Sequence, residues 1–534
     1  MFLFHVSLAL LALRLVSAVA VGGKPSVNAR ADTFNNPVVW EDLADVDLLR
    51  VNDTFYYSAS TMHFSPGAPI LRSYDLVNWE YIGHSVPSLD FGDSKYSLDG
   101  GTAYIRGIWA STLRFRPSNG KYYWVGCIDF WHSFIYTADE IDGEWTQASS
   151  IGNNCYYDCG LLIDDDDKMY VVYGGGTDIS VAQLSDDGLS EVSHQVVYTS
   201  DISREGNRLY KRGSNYYIIT DDPSAGTEYI LKSTSGPFGP YERRTLVAGV
   251  GSPINGGGSL AQGAFVDTPA GDWWYMAFSW AYPAGRIPVL SPITWDDDDW
   301  PETEFTNNQW ASSYPLPLPA RPLQSFTGVD NFTSIGPEWE WNHNPDTSSF
   351  ELNEGLVLRT ASVTTDLYAA KNTITHRILG PKASGTILLD ISAMTDGDRA
   401  GISMFRQISA YIGVKQTGNT RQLVMVNGLD MISSSGGTSD WVTSSEGSEV
   451  ATAALSGTQV WLRVTADIAP AAIGTTSATF SYSTDGNNFT NLGNTLSMST
   501  DWEFFMGYRF GIFNFATSKL GGSVTVKSFV HASA

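Results

Sequence analysis

Residues 41–61 read EDLADVDLLRVNDTFYYSAST. From Leu48 onward an apolar run, the turn pair Asn52-Asp53 and the aromatic run Phe55, Tyr56, Tyr57 spell strand, turn, strand. The half before it is unusual, because Glu41, Asp42, Asp45 and Asp47 crowd the approach to a hydrophobic strand. The hairpin recurs as LRFRPSNGKYYWVG from Leu113, LLIDDDDKMYVVYG from Leu161, LYKRGSNYYIITD from Leu209 and FVDTPAGDWWYMAFS from Phe265. With the first copy starting at Leu49, successive starts lie 64, 48, 48 and 56 residues apart, a period that suits one four-stranded blade per repeat. An all-β chain opening with a five-bladed β-propeller over residues 28–318 follows.

Blade geometry gives the carboxylates a purpose. The innermost strands of a propeller converge on its axis, so residues just ahead of them ring a central depression. Four residues before each repeat's start stand Asp45, Trp109, Tyr157, Glu205 and Ala261, with Asp158 one step after Tyr157. Three blades thus aim an acid at one mouth. Glycosidic-bond hydrolysis needs such a set: one carboxylic acid to protonate the leaving oxygen and one carboxylate to handle water or the sugar carbon. Asp42 and Asp47 compete with Asp45, and Asp47, two residues along, shares its face by periodicity. Other chemistries lack their signatures: the 8 histidines form no HExxH, and neither GxSxG nor GxxxxGK[ST] occurs. The runs Asp164–Asp167 and Asp296–Asp299 read as solvated loops, since no EF-hand spacing is present.

A net charge of -25 argues against nucleic acid, whose binders cluster Lys and Arg; a neutral carbohydrate fits better. Residues 1–20 form an apolar run ending in Ala18-Val19-Ala20 and read as a secretory signal peptide. A secreted, extracellular protein with no membrane span is expected, and the sequons at Asn52, Asn331 and Asn488 agree with that route. Cys127, Cys155 and Cys159 allow at most one bridge and leave one thiol over.

These motifs together resemble glycoside hydrolase family 43. In ADVDLLRVNDTFYYSAST the resemblance makes Asp45 the general base. In YYDCGLLIDDDDKMYVVYG it makes Asp158 the residue that tunes and orients the acid, and in REGNRLYKRGSNYYIIT it makes Glu205 the general acid. Arg286, in YPAGRIPVLSPITWDDDDWP, sits where the family commonly has an active-site arginine. The chain departs from the family at AQGA, where many relatives have His-Gln-Gly-Gly. Ala261 therefore replaces a histidine that often neighbours a central metal or water, which argues against the structural calcium of some relatives; no cofactor is expected to be required. STMHFSPGAPILRSYDLVNWE and GIWASTLRF look closest to arabinofuranosidases that act on doubly substituted xylose units of arabinoxylan, a plant cell-wall polysaccharide. On that resemblance Trp109, His63, Phe64 and Trp131 are candidate sugar contacts, blade packing being the competing reading.

After Trp300 the proline-rich stretch SSYPLPLPARPLQSF marks a domain boundary. Residues 325–534 alternate strand-like segments with Gly, Ser and Asn turns, as in a β-sandwich. GPEWEWNHNPD resembles the start of the sandwich appended to many family members. That domain is expected to pack on the propeller and shape the cleft, with polysaccharide binding through Trp339, Trp341 or Tyr411 as the alternative. The whole is expected to act as a monomer. Competing functions are a β-xylosidase or arabinanase on the same scaffold, or a sugar-binding propeller without catalysis. Invertase-like fructan hydrolases share this architecture, but their NDPN, RDP and EC signatures are missing.

Overall fold

A computed structural model describes residues 32–152, 154–305, 307–434 and 440–534. The signal-peptide reading of residues 1–20 lies outside them. Blade 1 comprises strands Asp47–Val51, Thr54–Ser58, Gly67–Ser73 and Glu80–Val86, and blade 2 runs from Ser111–Arg116 to Thr146–Ile151. Blade 3 begins at Gly160–Ile163 and ends in Glu191–Arg212, a 22-residue strand whose second part is also the innermost strand of blade 4. Blade 5 runs from Leu260–Asp267 to Pro301–Thr303. The innermost strands adjoin one another in ring order, blade 5 meeting blade 1.

Every repeat start found in the sequence lies on one of these inner strands. The ends of the propeller chain close together: Thr33–Asn35 pairs with Ser313–Pro315, and the Asn36 side chain donates to Leu290 O at 2.9 Å while accepting from Leu290 N at 2.8 Å. The acidic runs are more than solvated loops. Asp167 meets Arg116, Asp299 meets Arg212 and Asp296 meets Arg244 as ion pairs, each across a blade boundary or a long turn.

The centre is cross-linked by charge. Arg208 donates to Val46 O at 3.1 Å, Asp45 O at 3.1 Å and Cys159 O at 2.7 Å, and its Nε lies 3.6 Å from Asp47 Oδ1. Asp47 Oδ2 accepts from Leu113 N and from Arg114 Nη1, each at 2.7 Å. Cys127 and Cys155 form the disulfide, leaving Cys159 free and buried.

The second domain is a sandwich of two antiparallel sheets that starts at Gly328–Asp330. Its 8-stranded sheet ends on a piece of the propeller: Phe64–Ser65 pairs with Trp339–Asn342. Beside this junction Glu340, wholly buried, takes Arg377 at 2.9 Å, Arg509 at 2.5 Å and His84 at 3.1 Å. Trp339, Trp341 and Tyr411 are buried, which removes them as a polysaccharide platform. They are core because the sheets close over them.

Two predictions follow from this packing. Expressed without the sandwich, residues 21–320 should be poorly soluble, because Met62, Phe64 and Tyr104 share a core with Tyr368, Phe504 and Phe513 and would be uncovered; a soluble, fully active propeller would contradict this. The second concerns acid. Burial pushes His343 and His376 down to about 3 and His531 to about 4, from an ordinary 6.5. The unfolded chain therefore binds more protons as pH falls below 6.5, and the stability these histidines give above that pH is lost towards pH 3. Glu41 and Glu228, raised by burial from 4.5 to about 7, act in the opposite sense between those values and add nothing further below 4.5. Melting temperature should thus drop steeply below about pH 4.5, as differential scanning calorimetry across acidic buffers will show.

Candidate active site

The ring positions meet in one cavity of about 590 Å³. Asp45, Trp109, Tyr157, Glu205 and Ala261 all line it, together with Asp158, Asp221, Gln262 and Arg286. Phe278, Trp280 and Tyr282 of blade 5 and Thr500, Trp502 and Phe505 of the sandwich complete the wall.

Local backbone aims the carboxylates. Asp45 and Asp158 have left-handed backbones, with φ of 59° and 47°, immediately before their inner strands. Register shifts between Glu205 and Arg208 and between Ala261 and Ala264 mark bulges that re-aim blades 4 and 5 in the same place. Asp45 is ion-paired: Oδ1 accepts from Arg286 Nη1 at 2.6 Å and Oδ2 from the Ser60 hydroxyl at 2.5 Å. Arg286 in turn lies against Phe278, Trp280 and Phe505, with its guanidinium 5.2–5.8 Å from their ring centres. Its backbone N–H donates to Asp42 Oδ1 at 2.8 Å, and a side chain on the preceding Gly285 would place a Cβ 2.3 Å from that oxygen.

The rival acids are thereby accounted for. Asp42 accepts from the backbones of Arg286 and Gly507, and Asp47 is spent on Leu113, Arg114 and Arg208; neither lines the cavity. Asp158 Oδ2 accepts from Gly206 N and Gln262 Nε2, both at 3.0 Å. Burial first, then the charges of Glu205 and Asp45, hold Asp158 well above the usual carboxylate range. Glu205 is raised as well, by burial and then by Asp45, with Gln262, Arg286 and Tyr157 opposing. Asp45, and not the expected Asp158, is the charge that raises the pKa of Glu205.

Three expected sugar contacts, His63, Phe64 and Trp131, are not in the cavity. His63 is buried against Phe64, Tyr104, His343 and Phe504, its Nδ1 accepting from Ile105 N at 3.3 Å. Phe64 lies under the guanidinium of Arg509, 3.6 Å from its ring centre. Both are packing between propeller and sandwich, so as sugar contacts they are corrected. Trp131 stands 71% exposed on the hairpin next to Phe130, which stacks on Tyr157 at 5.8 Å, and it is not part of the wall. Sequence reasoning missed Asp221, Gln262, Phe278, Trp280, Tyr282, Trp502 and Phe505. The hairpin register of LYKRGSNYYIITD carried back to Glu205 points to Asp222, and only the register shift between Glu205 and Arg208 sets Asp221 opposite the acid; the sandwich aromatics carried no local signal. Ala261 brings no side-chain ligand atom to the cavity, and among the described residues no three His, Cys, Asp or Glu side chains are grouped to share an ion.

Fold and site are those of a glycosidase, a propeller whose mouth is finished by a sandwich. The model of glycosyl hydrolases family 43 matches residues 34–301, and that of the β-xylosidase C-terminal concanavalin A-like domain matches residues 329–530. The chain belongs to glycoside hydrolase family 43. It is similar to a β-xylosidase of Formosa agariphila, 27% identical over 455 residues, covering 72% of this chain and 75% of that protein. A non-reducing-end α-L-arabinofuranosidase of Bacteroides ovatus is 28% identical over 352 residues, covering 62% and 65% of the two chains. Among solved structures, a family 43 enzyme engineered at its active site to display both endo-xylanase and exo-arabinofuranosidase activity is 47% identical, with a TM-score of 0.89 over 94% of this chain and 100% of that one.

Glu205→Gln and Asp45→Asn should each lower turnover by about 10²–10⁴-fold; Glu205→Gln should leave the melting temperature near that of the wild type, whereas Asp45→Asn, which takes the countercharge from buried Arg286, should stay folded with a lower one. Activity should also fall as pH rises through the raised pKa of Glu205, which must be protonated to act. Steady-state rates across pH, with circular dichroism of each variant, check both statements.

Proposed function

We propose that the protein is a secreted, inverting α-L-arabinofuranosidase that removes arabinose side chains from arabinoxylan, taking O3-linked arabinose from doubly substituted xylose. The observation that carries the reading is the pairing, in one cavity, of an ion-paired Asp45 with a Glu205 held above its usual pKa. Such unlike environments suit a base and an acid. Glu205 gives its proton to the leaving oxygen while Asp45 takes one from the attacking water, so the glycosidic bond breaks as the new bond forms on the opposite face. Arg286 and Ser60 hold Asp45 in place, and Asp158, fixed to Gly206, steadies the segment that carries Glu205. A walled pocket lined by Trp109, Trp280 and Trp502 suits one terminal sugar entering end-on. The 47% identical enzyme, engineered to display endo-xylanase and exo-arabinofuranosidase activity, supports arabinose.

A second reading, β-xylosidase, is favoured by the Formosa agariphila relative and by the matched sandwich model. Export by the secretory route is part of the proposal. It is supported by the apolar residues 1–20 and by the exposure of Asn52, Asn331 and Asn488.

Proton NMR of the first minutes of hydrolysis of arabinoxylan distinguishes these readings. Release of β-L-arabinofuranose, undiminished when singly linked arabinose has first been removed, is expected. Xylose as the main product would favour the second reading, and an initial α-anomer would overturn inversion.

A further inference from the structure

We propose that Gln262 is a positioning residue for the general acid, its side-chain amide tying Asp158 and Glu205 into one unit. The inference rests on the assignment of Glu205 as that acid. Gln262 lies in the bulge that opens blade 5, with φ of 47°, and its side chain is part of the cavity wall. Its Nε2 donates to Asp158 Oδ2 at 3.0 Å, the same oxygen that accepts from the backbone of Gly206, next to Glu205. An amide nitrogen carries two protons and accepts none. Glu205 lines the same wall, and the amide favours its ionised form, lowering its pKa. The reverse orientation of the amide would set Oε1 against a carboxylate oxygen, and Oε1 meets no donor.

Space for this bridge is made by one residue. Gly206 has φ of 67°, and a Cβ there would come within 2.8 Å of Gln262 Cγ. The chain thus gives up a side chain beside its acid, and Gln262 fills the space. A hydrogen bond to ionised Glu205 lowers its pKa, against burial and the charge of Asp45, which raise it. Gln262 therefore does two things: it aims the carboxyl, and it limits how far up in pH the acid stays protonated. Asp158 feels the same donor, so loss of the amide moves both carboxyls upward together.

The test compares wild type, Gln262→Met, Gln262→Glu and Glu205→Gln in the full-length chain on two substrates. Arabinoxylan has a poor leaving group that needs the proton, and 4-nitrophenyl α-L-arabinofuranoside has one that departs without it. Gln262→Met should lose about 10–100-fold in kcat on arabinoxylan and no more than about threefold on the nitrophenyl glycoside, with the alkaline limb of its pH profile moved upward. Turnover of the nitrophenyl substrate also shows that the variant is folded. Gln262→Glu, which keeps the length and loses the donor, should share the selective loss. Equal losses on both substrates, or an unmoved alkaline limb, overturn the role of Gln262. If Glu205→Gln itself loses equally on both, the acid assignment falls, and a selective loss in Glu205→Gln with none in the Gln262 variants removes Gln262 alone.

Discussion

The guanidinium of Arg208 sits where the blades converge, and the rest of the active site depends on it. It is wholly buried, so its donors must be met by protein. They are met by carbonyls of Val46 and Asp45 in blade 1 and Cys159 in blade 3, with Asp47 supplying the countercharge. Asp47 at the same time anchors blade 2 through Leu113 and Arg114. One ionic cluster therefore joins four blades. The backbone of Asp45 is held by the same group, while its side chain is free to face the cavity.

Above this cluster, the protein accepts local strain to gather its acids. Left-handed backbones at Asp45, Asp158 and Gln262 cost energy for residues other than glycine, and such conformations persist only where the surroundings over-determine them. Here they do: each of the three side chains is fixed by hydrogen bonds to a neighbour in another blade or another strand. Bulges supply the remaining adjustment, since one extra residue turns a strand's side chains towards a new direction. The result is a set of buried carboxyls in one cavity, in which burial and the charge of Asp45 raise the pKa of Glu205 and favour its protonated form.

The sandwich is part of the site. Phe505 lies against Trp109 at 5.5 Å and beneath the Arg286 guanidinium, and Trp502 meets Trp280 across the mouth at 6.1 Å. The strand Phe64–Ser65, given up by blade 1 to the sandwich sheet, and the buried Glu340 cluster hold the two domains in the alignment that places those rings. Breaking the Glu340 set would leave charge unpaired in the interior, a cost of several kcal/mol, roughly 3–5.

Much was readable from the chain alone. Hairpin period and aromatic content specify a propeller, because each blade repeats the same buried and exposed alternation. A fixed offset from each inner strand located Asp45, Trp109, Tyr157, Glu205 and Ala261, all of which line one cavity. What local pattern could not decide was which of three nearby acids faces the cavity. Asp45 and Asp47 share a face by periodicity, and the difference between them lies in Arg114 and Arg208, residues of other blades. The same limit misassigned His63 and Phe64: their partners His343 and Arg509 come from the second domain. Sequence spacing governs which way a side chain points from its own strand. What it meets there depends on chain hundreds of residues away, and only tertiary packing brings that chain to it.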